Sequence, residues 1–309
     1  MTVNCCVSVT MQFSDNPEER QQHLIERRKL ALVLDLDETL ISSRRINKQR
    51  ILHGGRHQVQ TSCGRQYTVR LRPGVTHFLD KMVQMYDMYV ATYAERSYAK
   101  QVIKLLDPLE QYIEEDVFTR EDYSGEPNKL SVLETLFPAE NPLCIIVDDN
   151  AEMWPNVPQL IQAKPFKASS LFPKSDDRIL YGLGKRLMRI HRRFYEAYDK
   201  IFSMLSPHLP DLVEIMKKPL LGLNIFLLHN LNDEDRCKIS EKVECLGGRV
   251  QDYFVAEDDG ERKQSTHIIS SSSAHCEAVH YDLPVITDAY SWLQKCQQLS
   301  GVVKPDPYV

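Results

Sequence analysis

The first half of the chain alternates between short, continuous apolar runs and longer segments with helical spacing. Three apolar runs predict strands that are buried on both faces of a parallel sheet, at Leu30–Leu34, 88–91 and 143–147. The segments between them place apolar residues three or four positions apart and predict helices at residues 75–83, 99–106 and 130–137. Strands that alternate with helices of this size predict βαβ units and a Rossmann-like parallel α/β sheet.

A long amphipathic segment follows the α/β pattern. Its apolar positions step by three or four and predict one helix with an apolar stripe formed by Leu183, Leu187, Ile190, Phe194, Tyr198, Ile201 and Leu205. Five basic residues fall off that stripe: Lys185, Arg186, Arg189, Arg192 and Arg193. We expect them to form a solvated face; the alternative is a nuclear-import or phosphate-contacting patch.

The last part of the chain has the pattern of a small, separate α/β domain. Strands are predicted at residues 223–228, 250–255, 267–269 and 285–287, with helices at 233–246 and around Trp292. Gly247 and Gly248 end the first of these helices, as expected for a left-handed cap. The amphipathic setting of Trp292 predicts a core residue.

These patterns divide the 309 residues into five parts. They are an N-terminal segment (1–28), an α/β domain (29–178), a helical connector (179–218), the small α/β domain (219–303) and a tail (304–309). The length agrees with about two globular domains.

Composition narrows the class of protein. Hydrophobic residues make up 42% of the chain, charged residues 26%, and the net charge is -5, so no partner such as nucleic acid or membrane is expected. The eight cysteines show no zinc-site spacing, and Cys144 and Cys245 lie in apolar or helical patterns that predict buried thiols. We expect a soluble, intracellular protein without a signal peptide or membrane span.

The sharpest chemical pattern is D-x-D-x-T, formed by Asp35, Asp37 and Thr39 directly after the first buried strand. Ligands bind at the carboxyl ends of strands in such sheets, so both carboxylates are expected at the site edge. Two carboxylates so close repel each other unless a cation lies between them. The competing interpretation is an acidic turn without chemistry.

Further site candidates follow later strands. Asp148 and Asp149 end another buried strand and supply oxygen ligands that suit Mg²⁺, although Asp and Asn also favour helix N-caps. Thr92 ends a third strand, and Lys129 opens a helix where its charge is available to a bound phosphate. The alternatives are that Thr92 only ends a strand and that Lys129 is only solvated, with no role in binding phosphate.

Together these residues predict phosphoryl transfer to a carboxylate. Mg²⁺ and Lys129 would neutralise a phosphate dianion, so that Asp35, anionic at neutral pH by its ordinary pKa near 3.9, attacks in line. Asp37 would protonate the leaving alkoxide and then take a proton from water, for which a raised pKa is expected.

The segment 42–79 contains no acidic residue, while eight basic residues lie within it: Arg44, Arg45, Lys48, Arg50, Arg56, Arg65, Arg70 and Arg72. Its field favours an acidic, phosphorylated ligand, and Arg70 or Arg72 is a candidate for direct contact with it. The alternative is that the absence of acidic residues from this loop arose by chance and has no function.

At these residues the sequence resembles the FCP-type branch of the haloacid-dehalogenase superfamily, a group of protein phosphatases. The motifs that carry the resemblance occur in order over roughly residues 29–170: the D-x-D-x-T pattern, Arg70-Leu71-Arg72-Pro73-Gly74, Thr92-Tyr93-Ala94, Tyr98-Ala99, Leu106-Asp107-Pro108, Leu136-Phe137-Pro138 and Asp148-Asp149 with Trp154 after them. Asn150 stands where these enzymes often carry Arg.

The resemblance implies roles for the site residues. It makes Asp35 the nucleophile, Asp37 the acid/base, and Thr92 and Lys129 the phosphate contacts. Thr39 and Arg70 are the further candidates for binding substrate or phosphate. Asp148 and Asp149 would hold Mg²⁺ together with Asp35 and the carbonyl of Asp37. The implied substrate is phosphoserine or phosphothreonine in the heptad tail of RNA polymerase II, which places the protein in the nucleus, with other transcription proteins as candidate partners.

Residues 219–303 resemble a BRCT domain through Gly247, Gly248, Thr266 and Trp292. Phosphopeptide-binding members usually carry Ser or Thr followed by Gly after the first strand, whereas His229 and Asn230 stand there. This domain is therefore expected to help form a substrate groove or to dock a partner. The rival functions are a phosphatase of another phosphoprotein or of a small phosphate ester, and a non-catalytic docking protein.

Overall fold

The computed structural model describes residues 16–46, 56–123, 125–140, 142–168, 178–203, 208–220, 222–257, 264–271 and 283–298. The chain divides into two compact units, residues 1–184 and 185–309. Within the described ranges, no helix has both the length and the apolar character needed to cross a bilayer.

The first unit is built on a five-stranded parallel sheet in the order β6-β5-β1-β7-β8. The strands are β1 (Leu30–Leu34), β5 (Tyr86–Ala91), β6 (Ile113–Phe118), β7 (Cys144–Asp148) and β8 (Leu160–Gln162). The predicted Rossmann-like fold class is confirmed. Every residue of β1 is buried, because the strand is central and covered on both faces, which is why its sequence is continuously apolar.

The helices of this unit are α1 (Pro17–Glu26), which precedes β1, and α2 (Val75–Met82), α3 (Arg96–Leu106) and α4 (Ser131–Leu136), which lie between strands. Asn16 caps α1 with its side chain, and Pro17 takes the first turn, where its missing N–H is not needed. Leu24 of α1 is buried in the same cluster as Ala31, Val132 and Ile146. The packed unit therefore includes α1, which the sequence pattern placed before the α/β domain.

A second, antiparallel sheet in this unit was not predicted. It has the order β2-β4-β3, with β2 (Ile41–Arg45), β3 (Arg56–Gln60) and β4 (Gln66–Leu71). Its strands lie within or next to the basic segment and carry Arg44, Arg45, Arg56 and Arg70, and the polar residues that dominate β2 and β3 hide the strand pattern. Lys48 and Arg50 lie outside the described residues.

The second unit contains a four-stranded parallel sheet in the order β10-β9-β11-β12. Its strands are β9 (Asn224–Leu227), β10 (Arg249–Gln251), β11 (His267–Ile269) and β12 (Val285–Ile286), and its helices are α6 (Leu212–Met216), α7 (Asp233–Cys245) and α8 (Ala289–Gln298). The helix α5 (Ile179–Ser203) begins in the first unit and continues into the second. This is the small α/β fold expected from the BRCT resemblance.

Two details of this unit agree with the sequence pattern. Gly247 has φ +85°, the left-handed conformation expected of a glycine that ends α7. Trp292 is buried in the core with Ile225, Val243 and Leu293.

Three expectations were wrong. Cys245 is exposed, because the buried face of α7 is formed by Ile239 and Val243 and position 245 points away from it. The predicted strand at 250–255 ends at Gln251. The basic residues of α5 do not form one solvated face: Lys185 and Arg192 are exposed, but Arg186, Arg189 and Arg193 are half-buried. Leu205, predicted to belong to the apolar stripe of this helix, lies outside the described residues.

Candidate active site

The carboxyl edge of the parallel sheet brings Asp35 and Asp148 together. Strands β1 and β7 are neighbours with Leu34 opposite Val147, so the residues that follow each of these lie side by side. The backbone N–H of Asp35 donates to the carbonyl of Val147 at 3.0 Å. Both aspartates are buried, with 7% and 1% of their surface exposed.

Lys129 lies between these two carboxylates. Its Nζ is 2.6 Å from Oδ1 of Asp35, 2.7 Å from Oδ2 of Asp148 and 3.0 Å from the carbonyl oxygen of Ala91. The side chain of Lys129 is 2% exposed, so the three groups form a buried ion triplet, and the alternative of a solvated lysine at the start of a helix is excluded. When both carboxylates are ionised, two anions face one cation and the cluster carries a net negative charge.

Burial sets the protonation of this triplet. It raises the pKa of Asp35 to about 7; the positive charge of Lys129 opposes this rise, and the negative charge of Asp148 reinforces it. The ordinary pKa near 3.9, which the sequence analysis used for Asp35, is therefore wrong for the folded protein without a bound cation. Burial lowers the pKa of Lys129, but the charges of Asp35 and Asp148 outweigh it, and the net pKa is raised.

Asp37 occupies a different environment from Asp35. Ser43 Oγ and the Tyr98 hydroxyl both donate to its Oδ1, at 2.6 and 2.8 Å. Burial raises the pKa of Asp37, and the two hydroxyl donors reduce that rise. The direction is the one expected for an acid/base group. Neither Ser43 nor Tyr98 was assigned a role from the sequence, although Tyr98 stood in one of the motifs.

Three carboxylates have the geometry of a cation site. Single oxygens of Asp35, Asp148 and Asp149 lie within 4.8 Å of one another. Burial and the charge of Asp148 raise the pKa of Asp149, which a bound cation would reverse. An all-oxygen donor set of this kind fits Mg²⁺. The side chain of Asp37 is outside this group of three carboxylates, so its predicted role as a metal ligand through the side chain has no counterpart here.

The D-x-D-x-T segment is fixed by hydrogen bonds from Arg72 to the backbone. This guanidinium, 2% exposed, donates to the carbonyls of Thr39 and Lys164 at 2.9 Å each and packs over the ring of Phe166. The hydroxyl of Thr39 accepts from the N–H of Asp149 at 3.0 Å and lies 3.2 Å from its carboxylate. Thr39 thus connects the first acidic motif to the second.

Arg70 and Ser43 point to opposite faces of the antiparallel sheet. In this sheet Arg70 is opposite Ser42 and Arg56, and successive side chains of a strand point to opposite faces. Ser43, which binds Asp37, therefore faces the other side. That Arg70 contacts the phosphate that reacts stays a prediction.

Thr92 follows β5 at the same sheet edge as Asp35. It is 1% exposed, its N–H donates to the carbonyl of Phe118 at 2.9 Å, and its hydroxyl accepts from the N–H of Ala94 at 3.2 Å. Its chain neighbour Ala91 accepts from Lys129. The hydroxyl of Thr92 is thus on the turn that borders the ion triplet.

Trp154 and Asn150 hold Asp148 in place. The indole Nε1 of Trp154 donates to Oδ2 of Asp148, and the N–H of Asn150 donates to Oδ1, each at 2.8 Å. Trp154 is 2% exposed. The tryptophan that follows the acidic motif therefore orients a carboxylate of the site, a function that spacing alone does not reveal.

Comparison with known proteins agrees with this site. The model of a family described as NLI interacting factor-like phosphatase matches residues 30–199. An RNA polymerase II C-terminal domain phosphatase of Caenorhabditis elegans is 31% identical over 220 residues, 64% of this chain and 33% of the relative. RNA polymerase II C-terminal domain phosphatase-like 4 of Arabidopsis thaliana is 30% identical over 235 residues, which are 65% of this chain and 52% of the relative. The chain thus matches between about a third and a half of the length of these relatives.

Two solved structures share the fold. The structure of Fcp1, an essential RNA polymerase II CTD phosphatase, aligns with 93% of this chain and 97% of that chain, with a TM-score of 0.56 and 20% identity. A single-residue variant of the fission yeast RNA polymerase II CTD phosphatase Fcp1, bound to beryllium fluoride, aligns with 93% of this chain and 98% of that chain. The TM-score is 0.57 and the identity 18%.

Proposed function

The chain belongs to the NLI interacting factor-like phosphatase family, and from that premise we propose that it is a magnesium-dependent protein serine/threonine phosphatase. Its proposed substrate is phosphoserine or phosphothreonine in the heptad repeats of the RNA polymerase II C-terminal domain. The observation that carries the proposal is the buried triplet of Lys129 with Asp35 and Asp148 at the carboxyl edge of the sheet.

The nucleophile of the proposed reaction is Asp35. One carboxylate oxygen attacks phosphorus, the bond from phosphorus to the seryl or threonyl oxygen breaks, and an aspartyl-phosphate forms. Lys129 already lies 2.6 Å from Asp35, where its charge reduces the repulsion between the carboxylate and the phosphate dianion. The Thr92 hydroxyl is the proposed donor to a phosphate oxygen.

Asp37 is the proposed acid and base. Its raised pKa favours the protonated form, which gives its proton to the departing alkoxide. The resulting carboxylate then takes a proton from the water that hydrolyses the aspartyl-phosphate. Ser43 and Tyr98 both bind Oδ1, so they orient Oδ2 as the atom that exchanges the proton.

Magnesium would be held by Asp35, Asp148, Asp149 and the carbonyl of Asp37. When bound, it supplies positive charge that lowers the pKa of Asp35 and stabilises the phosphoryl oxygens. The fission yeast Fcp1 variant of the same fold binds beryllium fluoride, a phosphoryl mimic, and this supports the proposal that the site accepts a phosphoryl group.

The substrate class is supported by the names of the relatives and by the charge of the β2-β4-β3 sheet. The register places Arg44, Arg56 and Arg70 on one face of that sheet. We assign this face, including Arg70, to acidic or phosphorylated residues that flank the reacting group. A nuclear location follows from the proposed substrate.

Steady-state rates test this function. We expect a doubly phosphorylated heptad peptide to be hydrolysed with a kcat/KM at least about a hundredfold above that for any member of a panel of sugar phosphates, because remote contacts lower the barrier. The matched control is a heptad peptide with the same phosphates in scrambled order. A sugar phosphate that equals the peptide would instead identify a small-molecule phosphatase.

A further inference from the structure

A cluster of basic side chains in the second unit takes no part in the proposed reaction. It consists of Arg186, Arg189 and Arg192 on α5 together with His267 on β11, and we refer to it as the arginine cluster. Arg186 and Arg189 are three positions apart on one helix face, and each is half-buried. The patch is one of the two alternatives that the sequence left open for these basic residues.

The backbone at Gly222 leaves space for the side chains of Arg189 and Arg192. Gly222 has φ +79°, and a Cβ at that position would lie 2.6 Å from a guanidinium nitrogen of Arg192 and 3.4 Å from Cδ of Arg189. A side chain there would push aside the end of Arg192, whereas Arg189 would stay at ordinary contact distance. The close approach of Gly222 therefore defines one wall of the cluster.

The positive charge of the cluster is poorly compensated. Among the described residues, Glu196 is the acid that pairs with this face of α5, with Arg193 at 2.7 Å and more loosely with Arg192 at 3.8 Å. Arg186 and Arg189 have no carboxylate partner within the described part of the chain, and Nε of Arg193 is buried without an acceptor. Burial lowers the pKa of Arg189, and with the charge of Arg189 it lowers that of Arg186 to about 10.

The neighbourhood of His267 shows the same excess of positive charge. Its ring lies 5.7 Å from the ring of Trp292, measured between centroids, and its Nδ1 is 3.2 Å from the hydroxyl of Thr266. Burial and the charge of Arg189 lower the pKa of His267 to about 4, so the imidazole is neutral at pH 7 and retains one N–H donor.

Half-buried guanidinium groups without anions are costly unless a ligand supplies the charge. We propose that the arginine cluster binds the phosphate group of a phosphomonoester, with Arg186 and Arg189 as its charged contacts and His267 as a neutral one. A phosphomonoester carries a charge of about −1.5 to −2 at pH 7, which balances two guanidinium groups. Each guanidinium also offers a planar pair of donors that matches two phosphate oxygens.

A phosphomonoester suits the cluster better than nucleic acid does. Nucleic acid binding uses extended, exposed basic surfaces that contact many phosphates, and the chain as a whole carries a net charge of -5. Here the two uncompensated guanidinium groups are half-buried on one stretch of helix. The site is independent of the proposed function, since none of its residues belongs to the catalytic machinery.

The test uses the full chain and follows the ring signals of His267 by NMR, assigned with His267→Gln. Inorganic phosphate is added to the wild type, to Arg189→Gln and to Lys200→Gln, which removes the same charge from an exposed position of the same helix. We expect phosphate to shift the His267 signals in the wild type and in Lys200→Gln. We expect Arg189→Gln to require at least about tenfold more phosphate, because it loses a charged, paired donor.

Arg189→Lys serves as a second variant that keeps the charge while losing the paired donors, and at least about threefold weaker binding is expected. Hydrolysis of p-nitrophenyl phosphate and the melting temperature verify that both variants fold. Equal phosphate binding by the wild type and Arg189→Gln, with the variant folded, would overturn the proposal.

The source of the phosphate is resolved by competition in the Asp35→Asn background, where turnover is absent. A phosphoserine heptad peptide that shifts His267 at lower concentration than inorganic phosphate identifies a phosphorylated protein segment as the ligand. If free phosphate binds more tightly than the peptide, the site takes small phosphates. Shifts caused by single-stranded RNA and not by either phosphate source contradict a phosphomonoester site.

Discussion

The ammonium group of Lys129 lies 2.6 Å from the carboxylate of Asp35, although 94 positions separate them in the chain. The same ammonium group pairs with Asp148 at 2.7 Å. Because all three groups are almost fully removed from water, the charge balance of this triplet governs both the stability of the sheet edge and the reactivity of the nucleophile. Removing any one member should therefore change both properties.

Replacing Lys129 by Met leaves two buried carboxylates without their cation. Breaking a buried ion pair from one side costs about 3 to 5 kcal/mol, so we expect a loss of that size in magnesium-free buffer, measured by urea unfolding. Asp35→Asn is the control, because it retains the pair of Lys129 with Asp148 and is expected to cost less. Equal stability of Lys129→Met and the wild type would show that the triplet does not exist in solution.

Asp35→Asn is expected to abolish turnover without unfolding the protein. The amide cannot form an acyl phosphate, and loss of a nucleophile lowers kcat by factors of roughly 10⁴ to 10⁶. The measurement is release of phosphate from the heptad peptide, with circular dichroism as the check on folding. A variant with near-normal, magnesium-dependent hydrolysis would eliminate the mechanism.

Asp37→Asn separates the two chemical steps when the leaving group is p-nitrophenolate. This anion leaves without a proton, so phosphorylation of Asp35 continues, whereas the water that attacks the aspartyl-phosphate has lost its base. Stopped-flow absorbance is expected to show a burst of about one p-nitrophenol per chain followed by slow turnover. On a phosphoserine peptide, the alkoxide needs the proton, and no burst is expected. Linear release without a burst would argue against this role.

Tyr98→Phe removes one of the two hydroxyl groups that bind Oδ1 of Asp37. A hydrogen bond to a charged group contributes about 1.5 to 3 kcal/mol, so kcat should fall roughly tenfold to a hundredfold while KM stays near its original value. The loss should disappear when Asp37 is already Asn, because the two residues act as one unit. Tyr93→Phe, which removes a hydroxyl bound to the carbonyl of Glu126, is the matched control. Independent, additive losses would assign Tyr98 a structural role.

Chelation tests the cation site. Treatment with EDTA is expected to stop hydrolysis and Mg²⁺ to restore it. Asp149→Asn removes one of the three clustered carboxylates and should raise the Mg²⁺ concentration for half-maximal activity at least about tenfold. Glu152→Gln, an exposed acid in the same loop, should leave that concentration unchanged. Full activity in EDTA would exclude this use of the acidic cluster.

His267 should make stability depend on pH. Its folded pKa of about 4 is below the ordinary value of 6.5, so its contribution is present above pH 6.5 and is lost as the pH falls toward 4. The full effect is on the order of 3 kcal/mol. His267→Gln should therefore flatten the decline in unfolding free energy between pH 6.5 and 4. His208→Gln, at an exposed position, is the control and should leave the slope as it is.

The sequence alone determined the parallel sheet and the positions of the acidic residues at its edge. Continuous apolar runs mark strands that are buried on both faces, and Asp35, Thr92 and Asp148 then follow from the rule that parallel strands end together. These inferences depend on order along the chain and on local periodicity, both of which are visible in one sequence.

Only the tertiary structure decided which of these groups are paired and how strongly they are ionised. The contact of Lys129 with two aspartates, the hydroxyl donors to Asp37 and the pKa of Asp35 depend on residues distant in sequence and on exclusion of water. Burial of Arg186 and Arg189 was hidden for the same reason, because helical spacing shows which residues share a face and not what packs beside it. Electrostatics in a protein depends on distance and solvent exposure, and neither quantity is written in the order of the residues.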